Sequence, residues 1–223
     1  MLDRRGLRPT ERRGRAAFTL IEMLISMAVL AFVLGAMALV QIRSQAASKS
    51  TLGKTLSEMR ARRTLDRVVG ELSGVAHSLI FPDPTSNLGT STLTYQHPTG
   101  VDAVGNVLWD VPSRLELQLA PGEVDNGIDD DSDGLVDERR LVLTRNFGTA
   151  NAESVVLCTG IPRYLEGETP NLLDDNGNGL IDEPGFNIYR VGDLLTVRLT
   201  VQVPLGGGQV DMTTVQTSIV LRN

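Results

Sequence analysis

The sequence predicts an α+β fold, in which one long N-terminal helix packs on an antiparallel β-sheet. Three observations predict it. A long apolar segment near the N-terminus continues into a stretch with helical periodicity. The pattern then changes to alternation with a period of two, and the chain ends in a β-hairpin. With 223 residues, the chain is long enough for one domain of ordinary size and an appendage.

The first 17 residues are strongly basic. They contain six arginines against Asp3 and Glu11, whereas the remainder of the chain is acidic, and the whole carries a net charge of −6. This distribution argues against nucleic-acid binding, because such binding needs a basic face on the folded part of a protein. It suits a chain whose N-terminus stays in the cytoplasm while the rest crosses the membrane.

The segment from Phe18 to Val40 is apolar apart from Thr19, Glu22 and Ser26. At about 1.5 Å per residue, a helix of this length spans a bilayer core of about 30 Å. We therefore predict a membrane helix over residues 18–42. A cleaved secretory signal is the competing interpretation, but its apolar core would be only about 7–15 residues long. A carboxylate inside an apolar span is costly, which makes Glu22 a functional candidate.

The stretch "FTLIEMLISMAVLAF", preceded by arginines and a small residue, resembles the type IV prepilin signature. The resemblance implies that a prepilin peptidase removes the leader, residues 1–17, by cutting between Ala17 and Phe18. It also implies that the new amine of Phe18 is methylated and that the apolar segment becomes the helix of a filament core. Glu22 then stands at the fifth mature position, where its carboxylate can pair with the terminal ammonium of a neighbouring subunit. The family usually has glycine where this chain has Ala17, but alanine is also small and we expect processing.

Residues 43–80 contain no proline and continue the helical pattern. Apolar residues recur largely at steps of three and four from Leu52 to Leu79, and the opposite face is charged. This pattern predicts an amphipathic helix with one face on a core, ended by "FPDP" at 81–84. Residues 81–223 would then form a β-rich globular domain.

Alternating patterns in the globular part predict strands over 113–120, 139–146, 153–160 and 186–192. The last two predicted strands, 193–205 and 209–223, flank three glycines and indicate a β-hairpin. A long helix followed by an antiparallel sheet matches the pilin fold that the N-terminal resemblance implies.

The stretch from Arg60 to Phe81 is similar to the helix of the larger minor pilins of the PilW-like and GspJ-like group. Chains of that group have about this length and finish in a long hairpin. The group divides between type IV pili and type II secretion, and the sequence does not choose between the two.

Two acidic segments share one ten-residue pattern 45 positions apart: "DDDSDGLVDE" ends at Glu138 and "DDNGNGLIDE" at Glu183. The pattern begins like an EF-hand loop, with side-chain oxygens at places one, three and five and glycine at place six. Ca²⁺ prefers such hard oxygens, and alternate residues of a tight turn can point several at one centre. We therefore predict up to two Ca²⁺ sites, in loops at 125–138 and 174–183.

The candidate ligands are side-chain oxygens and, at place seven, backbone carbonyls. They are Asp125, Asp129, Asp131, Asp133, Leu135, Asp137 and Glu138 in the first copy, and Asp174, Asn176, Asn178, Leu180, Asp182 and Glu183 in the second. Place twelve, where an EF-hand has glutamate, holds Arg140 and Gly185. The second copy has fewer charges and should bind more weakly. The alternative is a pair of solvated acidic turns, because Asp, Asn and Gly favour turns without any metal.

The sequence contains no recognisable enzyme motif. His77, assigned to the long helix, and His97, assigned to a loop, have no nearby Cys or Ser in a nucleophile setting. No glycine-rich phosphate loop precedes a helix. Cys158 is the one cysteine, which excludes an intramolecular disulfide, and its neighbours favour a small buried strand residue.

The resemblance therefore implies a structural protein rather than an enzyme: a minor pilin of a type IV pilus, at or near the filament tip, that helps to initiate assembly for motility or adhesion. Its expected partners are other pilins, a prepilin peptidase, the inner-membrane assembly platform and a tip adhesin, with no nucleic acid. The chain would cross the bacterial inner membrane once through residues 18–40, and then enter the periplasm and the pilus at the cell surface. Two alternatives are a type II secretion minor pseudopilin that caps a periplasmic pseudopilus, and a single-span periplasmic calcium-binding module.

Overall fold

A computed structural model describes residues 19–85 and 88–221 of the chain. These residues form one long helix, α1 (Leu20–Leu72), a short 3₁₀ helix (His77–Leu79) and antiparallel strands. The strands are β1 Thr92–Tyr95, β2 Pro98–Val101, β3 Val107–Trp109, β4 Ser113–Leu119, β5 Arg139–Arg145, β6 Glu153–Ile161, β7 Phe186–Val191, β8 Leu194–Gly206 and β9 Gln209–Val220. The chain divides into two compact units, and the boundary between Ala47 and Ser48 falls within α1.

The first unit contains the N-terminal part of α1. Every side chain described between Leu20 and Gln45 is exposed, and the large apolar ones range from Val33, 44% exposed, to Phe32, 80% exposed. Among the described residues, α1 is the helix that is long and apolar enough to cross a membrane by length and composition. An apolar helix with no buried face requires an apolar surrounding, which a bilayer or neighbouring helices supply.

In the second unit, α1 packs one face on the core. The buried positions Ala61, Leu65, Val68 and Leu72 follow one another at steps of four, three and four, which places them on one side of the helix. They pack in one cluster with buried residues of the sheet, including Phe186 at the start of β7. The amphipathic pattern of the sequence is therefore realised over this part of α1.

The helix ends at Leu72, so the prediction that it continues to residue 80 is wrong. Gly74 lies in the left-handed region at φ 86°, where a residue without Cβ ends a helix at low cost. The amide of Val75 donates to the carbonyl of Leu72 at 3.3 Å, which forms a turn and does not continue the α-helix. His77 consequently lies in the short 3₁₀ helix and not on α1.

The strands form two antiparallel sheets and a separate ribbon. One sheet has the order β1-β4-β5-β6, the other has the order β7-β8-β9, and β2 pairs with β3 alone. An isolated antiparallel bridge between Thr90 and Ile188 links the segment before β1 to β7. The helix-on-sheet arrangement confirms the predicted α+β class, consistent with a pilin-like fold.

Strands β4 to β9 lie within about three residues of the predicted ranges, and the β8–β9 hairpin turns at Gly207 and Gly208. Strands β1, β2 and β3 were not predicted. Each has only three or four residues, and β2 and β3 are exposed along their whole length, so neither leaves a detectable alternation.

Strand β8 is buried on both faces. Leu195, Val197, Leu199 and Val201 belong to the core shared with α1. The alternate residues, which point to the opposite face, are polar and also nearly buried: Thr196, Arg198, Thr200 and Gln202. The second acidic segment and the residues before it lie over this polar face, because Glu183 reaches Arg198 and the amide of Glu166 donates to the hydroxyl of Thr200.

Candidate metal centre and the N-terminal motif

The two acidic segments repeat one another in conformation as well as in sequence. Asp129 Oδ2 accepts the amide of Gly134 at 3.0 Å, and Asp174 Oδ2 accepts the amide of Gly179 at 2.8 Å. The residue at place nine has positive φ in both copies, 47° in the first and 46° in the second. The shared pattern therefore encodes one loop conformation, built twice.

The repeat is longer than ten residues. Glu123 accepts hydrogen bonds from the amides of Asp130 and Asp131, and Glu168, 45 positions later, accepts one from the amide of Asn176. Each glutamate follows a glycine with positive φ and is buried. We name residues 122–138 loop 1 and residues 167–183 loop 2. Neither glutamate was among the predicted ligands, although the Gly-Glu pairs recur at the same 45-residue offset in the sequence.

Loop 1 brings carboxylates together. Glu123, Asp129 and Asp131 can place one oxygen each within 4.8 Å of one another, and so can Asp131, Asp133 and Glu138. Asp131 belongs to both groups and links them. Several hard oxygens directed at one centre are what Ca²⁺ coordination requires.

Two oxygens of this cluster are buried without a partner. Glu138 is 3% exposed, and its Oε2 accepts no hydrogen bond from the described residues. Oδ1 of Asp129 is likewise buried and accepts no hydrogen bond from the described residues. Burial, and after it the negative charges of Asp133, Glu123 and Asp131, raise the pKa of Glu138 to about 7. A buried carboxylate without a counter-charge is costly, and a bound cation would remove that cost.

Loop 2 places different chemistry at the same positions. The fifth place is Asn178, whose Nδ2 donates to both oxygens of Glu183 at 3.0 Å. Arg198 on β8 donates from Nη1 to Oε1 of Glu183 at 2.6 Å. Glu183 is fully buried, yet it is satisfied by these contacts. One buried oxygen of loop 2, Oε2 of Glu168, has no partner among the described residues.

Asp125, a predicted ligand, lies in two ion pairs. Its oxygens accept from Arg139 at 3.2 Å and from Arg163 at 2.8 Å, and both partners lie outside loop 1. The carboxylate therefore fastens the loop to β5 and to the segment after β6. Because both of its oxygens are paired with arginines, Asp125 is not a proposed ligand.

The place-nine aspartates, also predicted ligands, bind the loop backbone. Asp137 accepts hydrogen bonds from the amides of Asn126 and Gly127 at 2.8–3.1 Å. In loop 2, Asp182 likewise accepts hydrogen bonds from the amides of Asn171 and Leu172. These carboxylates hold the entry of each loop closed, and among the described residues neither belongs to a group of carboxylates close enough to share an ion.

The residues at places seven and twelve make packing contacts or belong to the strands. The side chains of Leu135 and Leu180, at place seven, are buried and anchor the loops. At place twelve, Arg140 already belongs to β5, and its Nη2 donates to Gln118 at 3.4 Å. A Cβ on Gly185 would lie 2.0 Å from the carbonyl oxygen of Pro162. Each loop runs directly into a strand, so neither can supply a ligand at the EF-hand's twelfth place.

The start of α1 has a capping box that was not predicted. Thr19 and Glu22 form a capping box, in which the amide and hydroxyl of Thr19 donate to Glu22 Oε2 at 2.8 and 2.9 Å. The amide of Glu22 donates back to the Thr19 hydroxyl at 3.3 Å. Ala17 and Phe18, between which the predicted cleavage falls, lie outside the described residues.

Residues 12–38 match the prokaryotic N-terminal methylation motif. The chain carries a prepilin signature. The motif supports a type IV pilin-like protein, either pilin or pseudopilin, with processing by a prepilin peptidase and assembly with other pilins. Together with the apolar start of α1, it supports anchoring in the membrane. Comparison with curated proteins and with solved structures gave no match.

Proposed function

We propose that this chain is a minor pilin of a type IV pilus, incorporated at or near the filament tip, where it helps to initiate assembly. The observation that carries the proposal is the prepilin motif at residues 12–38, which overlaps the start of an exposed apolar helix. A minor pseudopilin of a type II secretion system has the same motif and helix, and is the alternative.

The exposed face of α1 supports a role in a filament. Side chains such as Phe32 and Met37 are 80% and 65% exposed, so this part of the helix needs apolar neighbours at every stage. The inner membrane supplies them before assembly, and the helices of other pilins supply them afterwards. An assembly platform in the inner membrane and an adhesin at the tip would be further partners. The assembled filament would be displayed in the periplasm or at the cell surface.

Glu22 is the proposed assembly residue. In the single chain its carboxylate caps α1 through Thr19. After cleavage, the amine of Phe18 on a neighbouring subunit would offer a positive charge in an apolar surrounding, where an ion pair is strong and an unpaired carboxylate is costly. The same side chain would therefore act first as a helix cap and then as a contact between subunits.

Calcium is the second part of the proposal. The carboxylates that loop 1 gathers, two of them with unpaired buried oxygens, form a ligand set for Ca²⁺. Binding would hold loop 1 in a fixed conformation on the globular domain. Outside the cytoplasm, where Ca²⁺ is plentiful, a site with a dissociation constant on the order of 10⁻⁴ M would be filled.

Recruitment of Glu22 variants into filaments tests the pilin role. We expect Glu22→Ala and Glu22→Gln to be absent from sheared filaments, because both remove the charge that pairs with the terminal amine. Thr19→Ala is the matched control, since it breaks the capping box but keeps the carboxylate, and Glu58→Ala removes an exposed carboxylate further along α1. Recruitment of Glu22→Gln at the wild-type level would contradict the proposal.

A further inference from the structure

The duplicated loops differ most in how each neutralises its buried glutamate. Glu138 and Glu183 occupy the same place, ten, and are 3% and 0% exposed. Oε2 of Glu138 has no partner among the described residues, whereas both oxygens of Glu183 accept hydrogen bonds. The same loop conformation therefore surrounds one glutamate that lacks a positively charged partner and one that has such a partner.

The partner of Glu183 is rigidly held. Arg198 donates from Nε to Gln216 Oε1 at 3.2 Å and from Nη2 to the hydroxyl of Tyr189 at 3.3 Å. Its guanidinium carbon lies 4.9 Å from the centre of the Tyr189 ring. These contacts leave Nη1 directed at Glu183, so the positive charge is a fixed part of β8 and not a mobile surface group.

Loop 1 has no equivalent of Arg198 in the described part of the chain. The neighbouring base, Arg139, pairs with Asp125 instead of Glu138. Loop 1 also contains eight carboxylates where loop 2 contains five. At place five it has Asp133, which cannot donate to Glu138 as Asn178 donates to Glu183.

We propose that loop 1 binds one exchangeable Ca²⁺ ion and that loop 2 binds none, because the guanidinium of Arg198 and the amide of Asn178 take the place of the cation. This inference rests on the proposed calcium binding and narrows the two predicted sites to one. Loop 1 would respond to the calcium concentration, whereas loop 2 would keep its conformation without metal.

The geometry assigns the Ca²⁺ ligands of loop 1 to Glu123, Asp129, Asp131, Asp133 and Glu138. Asp131 lies in both carboxylate groups and would be the central ligand. Oε2 of Glu138 and Oδ1 of Asp129 would gain in the ion the partner that they lack. Glu123 would be a ligand that also holds the backbone amides of loop 1.

The test is a calorimetric Ca²⁺ titration of the full chain in detergent, after removal of metal with EDTA. We expect one ion per chain. Glu138→Gln and Asp133→Asn should each weaken binding at least tenfold, and Asn176→Ala, in loop 2, should change the affinity less than twofold. Folding of every variant is checked by circular dichroism.

The melting temperature distinguishes the roles of the two loops even if a variant binds no metal. In EDTA, Glu138→Gln should keep or raise the melting temperature, because it removes an unpaired buried charge, whereas Glu183→Gln should lower it by several degrees. Added Ca²⁺ should raise the melting temperature of wild type and of Glu183→Gln but not that of Glu138→Gln.

The outcomes are distinct. Two ions per chain, one of them lost in Asn176→Ala, would overturn this inference and leave the proposed calcium binding intact. The absence of saturable binding at millimolar Ca²⁺ would overturn both. One ion per chain that survives Glu138→Gln but not Asn176→Ala would place the site in loop 2 and reverse the assignment.

Discussion

Arg198 donates a hydrogen bond to Glu183 over 2.6 Å, and the two side chains are among the most buried charged groups of the described chain. The pair joins loop 2 to the middle strand of the β7-β8-β9 sheet. The polar face of β8 is therefore held by an ion pair as well as by hydrogen bonds.

Arg198→Met should destabilise the folded protein by about 3–5 kcal/mol, because removing the arginine leaves Glu183 buried without a counter-charge. Chemical unfolding of the full chain in detergent measures this loss, which should be similar in EDTA and in Ca²⁺. The control is Arg62→Ala, which breaks an exposed pair with Glu58 and should cost less than about 1 kcal/mol. Equal effects of the two substitutions would contradict the role given to Arg198.

Gly185→Ala should be strongly destabilising. The added Cβ would meet the carbonyl oxygen of Pro162 at 2.0 Å, and a backbone atom cannot move aside as a flexible side chain can. Gly70→Ala is a control of opposite sign, because Gly70 is exposed on α1 with no atom within 4 Å of the new Cβ. It should stabilise the protein by about 0.5–1 kcal/mol. Thermal unfolding compares the two, and a neutral Gly185→Ala would show that the loop end is not tightly packed.

Leu199→Ala should cost about 2–5 kcal/mol, because Leu199 is fully buried between β8 and the rest of the core. Val220→Ala, near the end of β9, is the control, since that side chain is 70% exposed and its truncation should change stability by less than about 0.5 kcal/mol. Chemical denaturation measures both. A loss at Val220 as large as that at Leu199 would mean that the outer face of β9 is covered.

Cys158 should react slowly with alkylating reagents. Its thiol is 7% exposed, and burial raises its pKa above the usual range for a thiol. The reactive thiolate is therefore scarce at pH 8 in the folded protein and appears after unfolding. Mass spectrometry after iodoacetamide treatment, with and without denaturant, follows the reaction, and Cys158→Ala is the blank. Rapid labelling of the folded chain would contradict the buried position.

Cys158 should make the stability of the folded protein fall as the pH rises. Because the pKa of the folded thiol is raised, the folded state keeps its proton at alkaline pH where the unfolded state loses it. Stability should then fall as the pH rises through the ordinary thiol range, about 8.5, and Cys158→Ala should lose this part of the fall. Unfolding midpoints from pH 7 to 10 measure the difference between the two proteins.

The main elements of the fold follow from strong periodic signals in the sequence. The apolar N-terminal segment, the stripe that includes Leu65 and Leu72, and the alternation of β8 and β9 each have many residues to establish a period. The end of α1 does not, because it depends on the conformation of Gly74, and glycine occurs within helices as well as after them. Strands of three or four residues such as β3 carry too little pattern to identify.

The acidic loops were located by their repeat, but the roles of single residues were not. Spacing cannot distinguish a carboxylate that lies in a cluster with others, such as Asp131, from one whose two oxygens both accept backbone amides, such as Asp137. Nor can it show that Arg198 reaches Glu183, since β8 comes into contact with loop 2 only in the folded sheet. Non-local contacts of this kind determine how each loop neutralises its buried glutamate.

The N-terminus of the mature protein distinguishes a pilin-like protein from an unprocessed or secreted chain. The protein is purified from membranes of cells that also contain a prepilin peptidase, and its N-terminal peptide is analysed by mass spectrometry, with Ala17→Gly as a processing control. For a pilin-like protein, we expect a chain that begins at Phe18 with a methylated amine and keeps its apolar helix. An intact basic leader, or a cut after the apolar segment as in a secretory signal, would contradict it.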